Sequence, residues 1–335
     1  MCIRDSITLA NGNGGRYMRE LISEIFARHL ANDKLDIQVD AASLSLESRD
    51  VIYTTDGFTV QPLEFPGGDI GSLAVHGTVN DLAVAGAIPK YLALNAFIEE
   101  GLEVAQLERI VSSLARAARQ AGVKVVAGDT KVLRRGEGGG LYLATTGIGT
   151  RDPEFKLGLD KIRDGDAILV SGSVGDHGIS VLLAREQFGL RGDLQSDSAS
   201  VLPLTRALSG MAGIRFMRDP TRGGLATVCH ELIRTTGMGI RIMQANIPIS
   251  DPVQSVCDML GYDPLFLACE GRVVAIVDPD EAEQVQTRWR SLPDGKDTAI
   301  IGHIDGSISQ VILQTALGGE RFLEELEDDP LPRIC

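Results

Sequence analysis

Aspartates set among glycine, threonine and asparagine, together with a cysteine at position 335, are the residues of this sequence best placed to do chemistry. Asp56 follows a strand-like run from Val51 to Thr55. Asn80 and Asp81 fall on the helical line Leu73, Ala74, Gly77, Val84, Ile88, which is otherwise small or apolar. A carboxylate on such a stripe needs a partner: a bound cation, a ligand donor, or an Arg or Lys from another segment. Asp129 follows the run Val123 to Ala127 and precedes Thr130 and Lys131, and Asp219 and Arg222 lie in the turn RDPTRGG at 218–224. Hard carboxylate oxygens of this kind suit Mg²⁺ bridging a polyphosphate, and Lys131 could hold a phosphate, cap a helix or lie in solvent. Gly12, Gly14 and Gly15 stand before a helical stretch from Tyr17 to Leu30, where backbone N–H groups could cradle an anion or form a plain turn. The loop SGSVGDHG at 171–178 resembles a phosphate loop but lacks the Lys-Ser/Thr ending of a Walker motif.

The cysteine at 335 sits in a segment built to project. Pro330 and Pro332 stiffen the stretch Asp328 to Cys335 and remove backbone donors, so neither helix nor sheet is expected there. A thiol so mounted could reach a pocket in its own protein or in a partner; a frayed end is the plain alternative. It is not a prenylation signal, which needs the cysteine four from the end. The adjacent carboxylate should raise its pKa and Arg333 should lower it.

The elements that must carry these groups alternate between helical and strand periods. Leu107, Ile110, Val111, Leu114, Ala118 and Ala121 predict an amphipathic helix closed by Gly122. Strands are expected at Val123 to Ala127, Ala167 to Val170 and Val273 to Val277, Leu141 to Ile148 is a further apolar run, and helices are expected at Ile179 to Phe188 and Glu281 to Trp289. FPGGDIG at 65–71 reads as a tight turn into a helix, and the polar stretch 150–165 as the linker. The result is α/β (α+β) in two domains, 1–152 and 153–327, with a tail at 328–335.

At 335 residues the chain can bury two cores, and a formal charge of −14 makes nucleic acid and anionic membrane poor partners. No apolar run approaches the ~20 residues of a membrane span and no leader pattern opens the chain, so a cytoplasmic location is expected. Cys2, Cys229, Cys257, Cys269 and Cys335 show no Cys-x-x-Cys pairing, so reduced thiols and no zinc are expected. Residues 1–6 read as out of keeping with the rest of the chain, and no role is assigned to them.

GNGG (12–15), TDGF (55–58), FPGGDIG (65–71), GTVNDLAVAGAIP (77–89), GDTKV (128–132), SGSVGDHG (171–178), RDPTRGG (218–224), CEG (269–271) and PRIC (332–335) together resemble the hydrogenase maturation family HypE from about Ile7 onward. The middle motifs alone resemble the wider group of aminoimidazole ribonucleotide synthetase, selenophosphate synthetase and thiamine-monophosphate kinase. The resemblance implies an ATP-dependent carbamoyl dehydratase. HypF would place a carbamoyl group on the terminal thiol, the chain would dehydrate it to a thiocyanate, and the HypC–HypD complex would receive the cyano group for the iron of [NiFe]-hydrogenase. It also implies a homodimer whose first domains, which bind ATP and Mg²⁺, pair into a β-barrel. Carried over by residue, Cys335 is the carrier, and Asp56, Asp81, Asp129, Asp219 and, less strongly, Asp40 are magnesium ligands. Gly12, Gly14, Gly15, Asn80 and Thr130 would hold the triphosphate, with Arg222 beside it, and Lys131 and Glu270 would face the modified tail. A small-molecule kinase or synthetase of the same group, or a scaffold without chemistry, stays open as an alternative. Asn11 stands where relatives more often carry His, and Cys269 where they carry Asn.

Overall fold

The computed structural model describes residues 5–39, 41–185, 192–315 and 317–326; Asp40 and the tail with Cys335 lie outside the described residues. The chain separates into two compact units, the first running to Leu82 and including Ala87–Arg151, the second holding Ala83–Gly86 and the residues from Asp152 on.

The first unit begins with α1 (Arg16–Leu21), a π-wound stretch Ile22–Ala27 and α2 (Arg28–Leu30), which together form one unbroken helical run. Its sheet comprises β1 (Val51–Phe58), β4 (Ala87–Glu99), β5 (Lys124–Leu133) and β6 (Leu141–Arg151), in the order β1-β6-β4-β5. The segment FPGGDIG is a small hairpin, β2 (Glu64–Phe65) and β3 (Gly68–Asp69), leading into α3 (Ile70–Val84). Helix α3 is buried almost all round, as an apolar helix must be, and α4 (Val104–Ala121) buries only the stripe that its periodicity predicts. The two helices meet where Gly71 lies so close to the Ile110 carbonyl that a Cβ would stand 2.4 Å from it.

Two strands are longer than the sequence suggests. The strand-like runs are expected to stop at Thr55 and at Ala127, yet β1 and β5 continue beyond both, so Asp56 and Asp129 lie inside strands rather than after them. At Gly128 the reason is close approach: a Cβ there would sit 2.3 Å from the Leu94 carbonyl oxygen of the paired strand β4. The apolar stripe of α3 is also shorter than its spacing implies. The helix stops at Val84, Gly86 turns the chain at φ +75°, and Ile88 belongs to β4.

Among the described residues the second unit holds seven strands, β7 (Ala167–Val170), β8 (Ile214–Arg218), β9 (Gly239–Met243), β10 (Val274–Val277), β11 (Ala299–Asp305), β12 (Val311–Gln314) and β13 (Glu320–Phe322). They follow the order β13-β12-β9-β11-β7-β10-β8, with only the β12–β9 pair parallel. Every residue of β7 and β10 is buried, which explains their unbroken apolar runs AILV and VAIV. Around the sheet lie α5 (Asp176–Ala184), α6 (Leu202–Arg206), α7 (Gly224–Thr236), α8 (Asp251–Leu260) and α9 (Ala282–Arg290). Helix α5 starts at Asp176, earlier than its apolar run suggests, because the last residues of the glycine-rich loop already wind into it. Trp289 of α9 is fully buried and its indole N–H donates to the Leu204 carbonyl at 2.9 Å, so this large aromatic has its polar edge satisfied within the core.

Gly122 ends α4 in the left-handed region at φ +72°, and a Cβ there would meet nothing within 4 Å. Gly122→Ala therefore carries only the backbone cost, and we expect it to lower stability by about 1 kcal/mol, read as a shifted urea midpoint with unchanged slope. Gly71→Ala, by contrast, must push α3 off α4 and should cost several times as much.

Candidate functional site

In the first unit the site residues fall into two corners of one sheet. At the β1 edge, Thr54 and Asp56 share the face that α3 covers, and Thr54 Oγ1 donates to Asp81 Oδ2 at 2.8 Å. Asp56 Oδ1 accepts the Gly57 N–H at 2.8 Å. Helix α3 can lie this near because residue 77 is glycine: a Cβ there would stand 2.7 Å from the Phe58 ring and 3.9 Å from Asp56 Oδ2. Asn80, on the same helix, is buried.

At the β5 edge, strand alternation sends neighbours to opposite faces. Asp129 and Lys131 point to the uncovered face and form an ion pair at 2.7 Å, which holds the Asp129 carboxyl below its ordinary value. Thr130 points to the covered face, is 6% exposed, and its Oγ1 has no hydrogen-bond partner among the described residues. An orphaned buried hydroxyl is rare enough to require an account, and a ligand oxygen or water would supply one. Beside it opens a cavity of about 110 Å³ walled by Phe26, Leu30, Leu94 and Val125, with Gly128, Asp129 and Thr130 at its polar end.

Register shows that these corners do not meet within one chain. Asp56 is opposite Thr145, Thr145 opposite Leu94, and Leu94 opposite Gly128. Three interstrand steps separate Asp56 from the neighbourhood of Asp129, roughly 14 Å. Among the described residues no group of three or more His, Cys, Asp or Glu converges on a point that could hold a metal ion. The donors nevertheless fit Mg²⁺ chemically, because that ion is commonly held by one or two carboxylates with the remaining positions filled by substrate phosphate and water.

The glycine run before α1 is shaped by packing. A Cβ on Gly12 would lie 2.8 Å from Val132 Cβ, so the loop presses directly on β5. The Gly15 N–H donates to Asn13 Oδ1 at 2.9 Å and the Gly14 N–H to Met18 Sδ at 3.2 Å. Asn11 ties the loop, accepting from the Thr8 N–H at 2.9 Å and donating to the Tyr17 carbonyl at 3.3 Å.

In the second unit Asp219 and Glu270 are both buried, and the turn carrying Asp219 and Arg222 is stitched to the Glu270 segment by the Cys269 N–H donating to the Pro220 carbonyl at 3.0 Å. Gly224, at φ +59°, would place a Cβ 2.5 Å from the Leu267 carbonyl oxygen, which is why the turn ends in paired glycines. Cys269 is fully buried; its Sγ accepts the Gly175 N–H at 3.3 Å, and burial pushes the thiol well above its ordinary pKa, leaving it protonated and unreactive. The loop SGSVGDHG is likewise structural: Asp176 Oδ1 accepts from Ser250 Oγ at 2.8 Å, Asp176 pairs with Arg272 at 3.4 Å, and His177 Nδ1 lies 2.8 Å from Ser196 Oγ. Sequence reasoning passes over Asp197, whose fully buried carboxylate accepts the N–H groups of Glu270 and Gly271, each at 3.2 Å. It sits in a polar SDSAS run with no motif around it, so only tertiary contacts reveal it.

Residues 38–151 match the family described as AIR synthase related protein, N-terminal domain, and residues 163–313 its C-terminal domain counterpart, so this is a two-domain protein of the AIR synthase related class. The chain is 46% identical over 332 residues to carbamoyl dehydratase HypE of Azotobacter vinelandii, covering 98% of this chain and 97% of that one. A solved structure of hydrogenase maturation protein HypE in complex with ATP superposes with a TM-score of 0.93 at 43% identity, covering 98% of this chain and 99% of that chain. A chain of a solved HypE–HypF complex gives a TM-score of 0.80 at 41% identity, covering 91% and 99%. The chain belongs to the HypE carbamoyl dehydratase family.

Burial pushes the His177 imidazole down to about 3, so the folded protein keeps it neutral while the unfolded chain protonates it near pH 6.5. The unfolded state then binds more protons between these values, and stability falls as pH drops through that window, by up to about 1.4 kcal/mol per pH unit for this one group. Urea midpoints at pH 7 and pH 5 should show the loss, and His177→Gln should remove about one proton from the slope; an unchanged slope would refute the assignment.

Proposed function

We propose that this chain is the ATP-dependent carbamoyl dehydratase of [NiFe]-hydrogenase maturation, converting an S-carbamoyl group on Cys335 to a thiocyanate as ATP becomes ADP and phosphate. The observation that carries this reading is 46% identity, across 98% of the chain, to a protein named for that activity. The orphaned Thr130 hydroxyl beside a cavity supports a nucleotide in the first unit. HypF is the carbamoyl donor and the HypC–HypD complex the cyano acceptor. The working unit is a homodimer: no described helix covers one face of the four-stranded sheet, where Tyr53 is 63% and Phe97 38% exposed, and closure of two such faces into a barrel would bury them. The same closure offers a route for the two carboxylate corners to converge across subunits.

In this reading Asp56, Asp81, Asp129 and Asp219, with Asp40, are the residues that hold Mg²⁺. When bound, that ion neutralises charge on the phosphates. Gly12, Gly14, Gly15, Asn80, Thr130 and Arg222 bind and orient the triphosphate, and the ion pair with Asp129 holds Lys131 at the sheet surface, where it orients the carbamoyl oxygen. An amide oxygen leaves poorly, so it is phosphorylated first, with loss of one nitrogen proton. Glu270 then takes the remaining nitrogen proton, the freed electron pair completes the C≡N bond, and the C–O bond breaks to release phosphate.

Intact mass after incubation with HypF, carbamoyl phosphate and ATP should show a gain of one carbamoyl unit followed by loss of one water. Cys335→Ala should keep ATP binding and show neither change; a carbamoyl or cyano mass on that variant overturns the carrier assignment. Glu270→Gln should accumulate the carbamoylated tail, and normal appearance of the cyano product would remove Glu270 from the chemistry. For Asp81→Asn, titration calorimetry should report Mg-ATP affinity weakened by roughly tenfold, the scale of one charge-assisted contact.

A further inference from the structure

We infer that Asp197, locked by Arg272, is a positioning residue for the dehydration step: it fixes the backbone that aims Glu270. The inference rests on the proposed role of Glu270 as base. The Asp197 side chain is wholly buried, and both its oxygens are spent on this segment: Oδ1 accepts the Glu270 N–H and Oδ2 the Gly271 N–H, each at 3.2 Å. In return the Ala199 N–H donates to the Glu270 carbonyl at 3.4 Å, so the extended stretch around Asp197 grips Glu270 on both backbone groups. The approach is close enough to demand glycine next door, since a Cβ on Gly271 would stand 1.9 Å from the Asp197 carbonyl oxygen.

A buried carboxylate is costly without a counter-charge, and Arg272 supplies it. Its Nε lies 3.5 Å from Asp197 and donates to the Ser173 carbonyl at 2.9 Å, while Nη2 reaches Asp176 at 3.4 Å. Asp176 is held in turn by the Ser250 hydroxyl at 2.8 Å. The segment is anchored from the other side by the Cys269 N–H on the Pro220 carbonyl at 3.0 Å, within the turn that carries Asp219 and Arg222. Glu270 thus has neighbours on both sides pinned by buried polar contacts. A general base must meet its proton within hydrogen-bond reach, and an error near 1 Å can cost about a hundredfold in rate. This network is what holds that tolerance.

Asp197→Asn keeps one carbonyl acceptor but turns an amide N–H₂ toward a backbone N–H, so one of the two grips is lost. The test uses full-length protein with its tail pre-carbamoylated, following single-turnover conversion by intact mass alongside Mg-ATP affinity by calorimetry. The expected result is a ten- to hundredfold slower loss of water with Mg-ATP affinity and tail carbamoylation unchanged. Arg272→Lys keeps the charge but loses the planar fork, and should show the same selective slowing; it carries the test if Asp197→Asn does not fold. Wild-type rates in either folded variant overturn the inference, as does a parallel fall in ATP affinity and rate, which would mark a merely structural role. Glu270→Gln run beside them separates the two ideas. If Glu270→Gln turns over normally the base assignment fails, whereas a stalled Glu270→Gln with a normal Asp197→Asn sinks only the positioning role.

Discussion

Close approach of backbone to its neighbours, permitted at a few glycines, is the constraint on which the rest of the structure depends. Gly71 lets α3 touch the α4 backbone, Gly77 lets it reach the Phe58 ring of β1, and Gly128 lets β5 lie against the Leu94 carbonyl. Each contact lies at a distance that a Cβ would forbid, so each fixes spacing more tightly than an apolar side chain could. Asp81 meets Thr54, and Thr130 faces a cavity rather than a neighbour, because of those approaches. Glycine in this chain therefore acts first through packing, and only then through any ligand.

The sheet of the first unit then divides labour by strand alternation. Its covered face holds the core and the Thr54, Asp56 and Thr130 side chains, while its open face carries the Asp129–Lys131 pair with Tyr53 and Phe97. Charge and aromatic surface thus lie together on the sheet face that no described helix covers. Carboxylates placed at opposite edges of a single sheet are too far apart to share an ion, so a site built from all of them needs both phosphate and a second edge.

The second unit uses a different device, a buried ionic lattice of Asp176, Arg272 and Asp197 between loops. Such lattices add little net stability but fix geometry, because any displacement leaves a charge unpaired in a poorly polarisable interior. Burial also silences Cys269 and His177: the thiol stays protonated and the imidazole neutral, so neither competes with the groups around them.

The sequence by itself determined the α/β class, the α4 helix with its Gly122 stop, the strands AILV and VAIV, and the motifs that carry the family likeness, because periodicity and local turn chemistry are short-range properties. The ends expected at Thr55 and Ala127 fall short for the same reason: a polar residue or glycine after an apolar run looks like a break until the partner strand is known, and here pairing carries β1 and β5 through Asp56 and Asp129. Only the tertiary structure could decide that Asp129 and Thr130 face opposite ways, that the phosphate-loop-like SGSVGDHG is a structural clasp, and that Asp197 grips the Glu270 segment. Those facts depend on which distant segments meet, and a contact across 73 residues between Asp197 and Glu270 leaves no mark in the local pattern of either.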